Sequence, residues 1–159
     1  GERVEVIRSS FNSHESEFER KHRLAEGGDN IAEFNLGLMY ENGHGIPLDF
    51  SGEPSLRKMT WLSIRTLHLK EAEKWYVKSA KKGNSDAMFN LGAMYHNGNP
   101  PKDNPYIAYA WFSAAKENGH EEAERSLDVL TAKMTKAQLE KANSLLTEIY
   151  NNIETNSKD

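Results

Sequence analysis

From Ala32 the apolar positions recur in steps of three and four, through Leu36, Met39 and Tyr40 to Gly43. That spacing lines one face of a 3.6-residue helix, and Asn30 with Glu33 three positions later has the form of a capping box. The helix ends where "NGHGIP" begins, a run of turn residues. Downstream, Ala72, Trp75, Tyr76 and Ser79 share one face of a second helix. It stops at Gly83, in the place of a left-handed C-terminal cap. Together the two predict a helical hairpin.

Both halves recur. "IAEFNLGLMYENGHG" from Ile31 returns as "DAMFNLGAMYHNGNP" from Asp86, an offset of 55 residues. "EAEKWYVKSAKKGN" from Glu71 returns as "IAYAWFSAAKENGH" from Ile107, an offset of 36. The difference of 19 places an insertion inside one 36-residue repeat, most simply Ser51 to Leu69. Fixed-period self-similarity of this kind is the mark of a stacked-repeat architecture. Gly37 and Gly92 sit inside the first helices, where glycine costs about 1 kcal/mol relative to alanine. Close approach of Trp75, Tyr76, Trp111 or Phe112 is the expected compensation.

The chain therefore reads as one domain over 1–159. A degenerate capping helix covers 11–28, a repeat 30–83 with its insertion at 51–69, a second repeat 86–119, and capping helices 120–153. In the first cap Ala25 and Gly28 keep the registers of Ala80 and Gly83, but Arg20 stands where Trp75 would. At the far end Ala123 and Leu127 persist, and Thr135 with Gln138 opens the last helix as a capping box. The expected fold is all-α, a short right-handed solenoid of about seven helices stacked as antiparallel pairs. Its expected buried spine is Leu36, Tyr40, Ala72, Trp75, Leu91, Tyr95, Ala108, Trp111, Ala123 and Leu127.

These residues resemble the SEL-like (Sel-one-like) repeat, a relative of the tetratricopeptide repeat. That pattern runs from an alanine through Leu-Gly-x-x-Tyr, a Gly-rich turn and an aspartate to Ala-x-x-Trp-Tyr, small residues and a final Gly. Ala32 to Asp49 supplies the first half and Ala72 to Gly83 the second; Ala87 to Gly98 and Ala108 to Gly119 repeat both. The second turn, "NGNPPKDNP", loses a glycine and carries Asn104 in place of the aspartate, where it can cap a helix begun by Pro105. The resemblance implies a non-enzymatic scaffold or adaptor for protein–protein contacts. It also leaves open an inhibitor or immunity protein that blocks a bacterial toxin or secreted lipase.

Charge adds one feature. The net charge is −4, yet residues 51–82 carry 8 basic and 3 acidic side chains between more acidic flanks. A basic belt on an acidic body fits an acidic protein partner and argues against nucleic acid. There is no cysteine, so no disulfide or thiolate metal site is expected and the chain suits cytosol or oxidising space alike, cytoplasm or periplasm in a bacterium. No apolar run is long enough for a membrane span, and "GERVEVIRSS" lacks a signal-peptide core.

Catalytic chemistry is not indicated. The six histidines form no pair at ligand spacing, and His14 does not open a His-Glu-x-x-His motif because position 18 is phenylalanine. No serine sits in Gly-x-Ser-x-Gly, and the glutamates lie among lysines as on solvated helix faces. No catalytic residue, cofactor or metal is expected.

Two partner-binding surfaces are expected instead. If Ala32, Leu36 and Tyr40 face the second helices, then Phe34, Leu38 and Glu41 point away, as do Phe89, Ala93 and His96. Apolar anchors with polar rims make binding hot spots; packing of both phenylalanines into the neighbouring hairpin is the competing reading. The second surface is the insertion. After Pro54, with Ser55 as a cap, no Gly or Pro interrupts the chain before Gly83, which allows one long helix. Its added turns would carry Arg57, Lys58 and Arg65 beside Trp61 as a basic, aromatic surface. A surface loop, or a cover over one end of the solenoid, are the alternatives. Seven of its nineteen residues are Leu, Ile, Met or Trp, which argues against the loop.

Overall fold

The computed structural model describes residues 14–46, 60–98 and 104–156. These residues form seven helices and no strand: α1 Glu17–Glu26, α2 Asn30–Asn42, α3 Trp61–Lys81, α4 Ser85–His96, α5 Pro105–Glu117, α6 Ala123–Thr131 and α7 Lys136–Asn156. α2 packs on α3 and α4 on α5, each pair forming a hairpin, and α3 packs on α4 to join them. α1 covers α2 at one end; α6 and α7 cover α5 at the other. The architecture is an all-α solenoid of stacked helix pairs.

Local chemistry sets the helix limits. Asp29 caps α2 by accepting the Ala32 N–H at 2.8 Å, and Asn84, its counterpart 55 residues on, caps α4 by accepting from Ala87 at 3.0 Å. The expected capping box on Asn30 is not formed, because the aspartate one position earlier takes the cap and Glu33 turns to a lysine instead. Asn104 caps α5 with Pro105 at its start, as the altered turn implies. Thr135 and Gln138 form their reciprocal box at the head of α7. α3 begins at Trp61 with Thr60 as its cap; Ser55 lies outside the described residues. At the other end of α3 Gly83 adopts φ +90°, a conformation that costs a side-chain-bearing residue free energy.

The two helical glycines are explained by their neighbours. A Cβ on Gly37 would lie 2.5 Å from the Tyr76 ring, and one on Gly92 2.5 Å from the Phe112 ring. Each first helix thus drops its backbone onto the aromatic of its own hairpin partner.

The core has two parts. Leu36, Ala25, Ala32 and Trp75 form the smaller, with Phe18 and Tyr40 against it, and so join α1 to the first hairpin. Tyr76, the next residue after Trp75, belongs to the larger cluster, which runs through Leu91, Tyr95, Trp111 and Phe112 to Ala123 and Leu130. Adjacent aromatic residues of α3 therefore enter different clusters. Tyr40 and Leu127 are only partly buried, contrary to expectation. Tyr40 lies at the end of α2 between the rings of Phe18 and His68. In α6 the inward line runs from Ala123 to Leu130, which leaves Leu127 at its edge.

Candidate functional site

The face of α3 that buries Leu69, Ala72 and Tyr76 continues backwards through Arg65 to Trp61 and Leu62. α2 runs antiparallel beside it and ends at Asn42, so the first turn of α3 extends beyond the end of α2. Trp61 is 72% exposed and Leu62 74%, the two most exposed of the large apolar residues described. Arg65 marks the edge of the covered region, where its guanidinium donates to the Glu41 carbonyl oxygen. Leu69, counted in the insertion by offset arithmetic, is buried in the larger core cluster. Excising Ser51 to Leu69 would therefore remove a packed residue along with the exposed turn.

His68 sits one turn further in, against Tyr40. Burial, reinforced by the Arg65 charge, holds its imidazole pKa below the ordinary histidine value of 6.5. Above that value the ring is neutral folded or unfolded. As pH falls through it the unfolded chain takes the proton first, so the folded state loses stability down to the depressed folded value. The fall in Tm between pH 7.5 and pH 5 should be smaller for His68→Asn than for the parent; equal slopes would show that His68 does not carry this dependence.

The first-helix residues occupy a different face. Phe34 lies beside Tyr76, ring centroids 5.9 Å apart, and Leu38 is packed against the same cluster. The Glu41 carboxylate accepts the Tyr76 hydroxyl, which also receives an Asn90 N–H at 3.3 Å. Burial first, and then Glu41, pushes the Tyr76 pKa far up, so the hydroxyl stays protonated; Tyr95 is held likewise by burial and by Glu73. Phe89 stacks face to face on His120 at 4.2 Å and leans on Phe112 at 5.4 Å. Both phenylalanines are half-buried, each against an aromatic of its own hairpin. His96 lines a separate hollow with Pro105, Leu130, Met134 and Gln138.

The structure thus brings Arg65 to Glu41 and places Trp61 just beyond them. It sets Phe89 and His96 on the second repeat. Arg57 and Lys58 lie outside the described residues.

One polar junction was not foreseen. Glu33 is 2% exposed, and Lys82 donates to its carboxylate at 2.5 Å and to the Gly28 carbonyl oxygen at 2.9 Å. Ser79 and Asn84 add bonds to the backbone carbonyl and the side chain of Asn30. The only sequence signal was a glutamate breaking the apolar face of α2. Among the described residues no group of three His, Asp or Glu side chains is placed to hold a metal, and no helix is long and apolar enough to cross a membrane.

Three stretches, residues 30–51, 69–84 and 85–120, match the family model described as Sel1 repeat. Residues 52–68 fall between the first two stretches. Among solved structures the chain is similar to a protective antigen present in uropathogenic Escherichia coli strains displaying an SLR fold. The identity is 25% and the TM-score 0.68, over 86% of this chain and 25% of that one. The chain thus spans about a quarter of the antigen's length. No curated protein matches it.

Proposed function

We propose, from the premise that this chain is a Sel1-repeat protein, that it is an adaptor whose partner docks on the uncovered first turn of α3. The observation that carries this reading is the pair Trp61 and Leu62, both more than two-thirds exposed at the head of an otherwise packed helix. Tryptophan is among the residues most enriched at binding hot spots, and a rigid helix holds it in place at little entropic cost. Arg65 ties that turn to the end of α2. Phe34, Leu38, Glu41, Phe89 and His96 contribute a second, shallower surface on the first helices.

The test is a paired substitution, Trp61→Ser with Leu62→Ser. Because both side chains are exposed, the stability change should stay within about 0.5 kcal/mol. Affinity-capture from the source cell, followed by quantitation of the protein retained in stoichiometric amount, should show that retention fall about tenfold or more. Undiminished retention by a folded double variant would overturn the docking site. A one-to-one complex with an enzyme whose activity falls would make the protein an inhibitor in place of an adaptor.

A further inference from the structure

The outer face of α3 carries a line of lysines. Lys70, Lys74, Lys78, Lys81 and Lys82 follow one another at steps of four, four, three and one. At 100° per residue all five fall within a third of the helix circumference, next to the buried Trp75 edge. Lys70, Lys74, Lys78 and Lys81 are exposed. The one acidic residue within that arc is Glu71, which reaches Lys74 at 3.9 Å. Lys82 is committed to Glu33. Among the described residues Lys70, Lys78 and Lys81 meet no carboxylate within ion-pair distance. Lys78 lies 4.4 Å from the centre of the Trp75 ring, and Lys74 5.5 Å, which sets both ammonium groups beside that indole. A hollow of about 460 Å³ opens at the C-terminal end of the line, between Lys78, Lys81, Lys82 and the Ala25–Gly28 turn, and it is lined by Glu26 and Glu33 as well, so the acid-accepting part of the face is the line of Lys70, Lys74, Lys78 and Lys81 itself.

Like charges four residues apart on a helix repel by a few tenths of a kcal/mol per pair. Here the repulsion is concentrated on one helix of a chain whose net charge is −4. From Lys70 to Lys81 the line spans about 16 Å, with about 6 Å between Lys70, Lys74 and Lys78 and about 4.5 Å from Lys78 to Lys81. We propose that this face docks an acidic segment of a partner protein, its carboxylates about 6 Å apart, as at every fourth residue of a helix. The proposal rests on the adaptor reading and adds the chemistry of a partner, on a different face of α3 from Trp61.

The composition of the face selects that occupant. It holds no arginine, the residue suited to bidentate phosphate contacts, and no exposed aromatic on which a base would stack. A membrane-surface helix needs its apolar side free to enter the lipid, whereas that side of α3 is buried in the core. Lysine and carboxylate pairing at a solvated rim sets encounter rate and specificity, so the contact should be strongly salt-dependent.

The probe is a labelled alanine-rich peptide with glutamate at every fourth residue, titrated against the full chain by fluorescence anisotropy at low and physiological salt. Its glutamine counterpart is the control. The variant Lys70→Gln, Lys74→Gln, Lys78→Gln, Lys81→Gln should bind the acidic peptide about tenfold more weakly or worse, with a flatter salt dependence. The variant Lys116→Gln, Lys133→Gln, Lys136→Gln, Lys141→Gln loses the same charge elsewhere and should bind as the parent does, with circular dichroism checking both folds. Equal weakening of the two variants would reduce the effect to net charge and overturn the proposal. So would binding of phosphatidylserine vesicles or a DNA duplex in preference to the peptide. The adaptor reading fails separately, if the parent chain retains no protein in stoichiometric amount. If the parent retains one and the first lysine variant retains it equally with an unchanged salt dependence, only the lysine face is refuted.

Discussion

Alanine at position 111 is expected to lower the unfolding free energy by about 3 to 5 kcal/mol, a large part of what a small domain possesses. Trp111 is 8% exposed and belongs to the larger core cluster. It stands on α5, which packs on α4 in the second hairpin and on α6 and α7 beyond it. That cluster draws side chains from α3, α4, α5 and α6, so a void left in it is not closed by the shift of one element, and the loss should fall in the upper part of the range seen for large-to-small changes. Urea denaturation followed by circular dichroism measures it directly. Trp61→Ala provides the contrast, since at 72% exposure it should change stability by no more than about 0.5 kcal/mol. Equal midpoints for parent and Trp111→Ala would remove Trp111 from the core.

Gly37→Ala and Gly92→Ala should each destabilise by about 1 to 3 kcal/mol, although alanine is the better helix former by about 1 kcal/mol. The steric term wins because the added methyl meets a ring at 2.5 Å in both cases, well inside van der Waals contact. Neither ring is free to retreat. Tyr76 is held through its hydroxyl by Glu41 and Asn90, and Phe112 is wedged against Phe89. Phe112→Leu should therefore recover part of the loss in Gly92→Ala when the two are combined. Tyr76→Leu should rescue Gly37→Ala less well, since it also strands the Glu41 and Asn90 groups. Thermal melts of the single and double variants form the two cycles. A Gly92→Ala protein as stable as the parent would show that the approach of α5 to α4 does not require glycine.

The hairpins and the helical glycines were legible because they are written in short-range periodicity and then repeated. The offsets of 55 and 36 residues carried the order of elements, and Gly37 and Gly92 announced a close approach before its partner was known. Periodicity shows which residues share a face without showing what that face meets. Trp75 and Tyr76 are neighbours on one predicted face, yet Trp75 joins Ala25 of α1 with Ala32 and Leu36 of α2, whereas Tyr76 lies against Gly37 of α2 and reaches Asn90 of α4. Glu33 looked like half of a capping box; its burial depends on Lys82, 49 residues away, which no local pattern encodes. The long α3 was legible from the absence of Gly and Pro, but its first residue was not, since Ser55 and Thr60 are both competent caps and the choice rests on tertiary context. The half-burial of Phe34 and Phe89 follows from ring contacts with Tyr76, Phe112 and His120, all set by how the helices stack.

Asn84 uses both ends of its amide. The oxygen caps α4, and the nitrogen donates at 3.0 Å to the side chain of Asn30, the first residue of α2. The heads of successive hairpins are thereby yoked, so fraying at α2 loosens the first turn of α4 as well. In a linear array whose cooperativity is a sum over neighbouring interfaces, such a yoke raises the cost of a boundary between folded and unfolded repeats. Partial unfolding at that boundary is disfavoured by what one such bond contributes, about 0.5 to 1.5 kcal/mol.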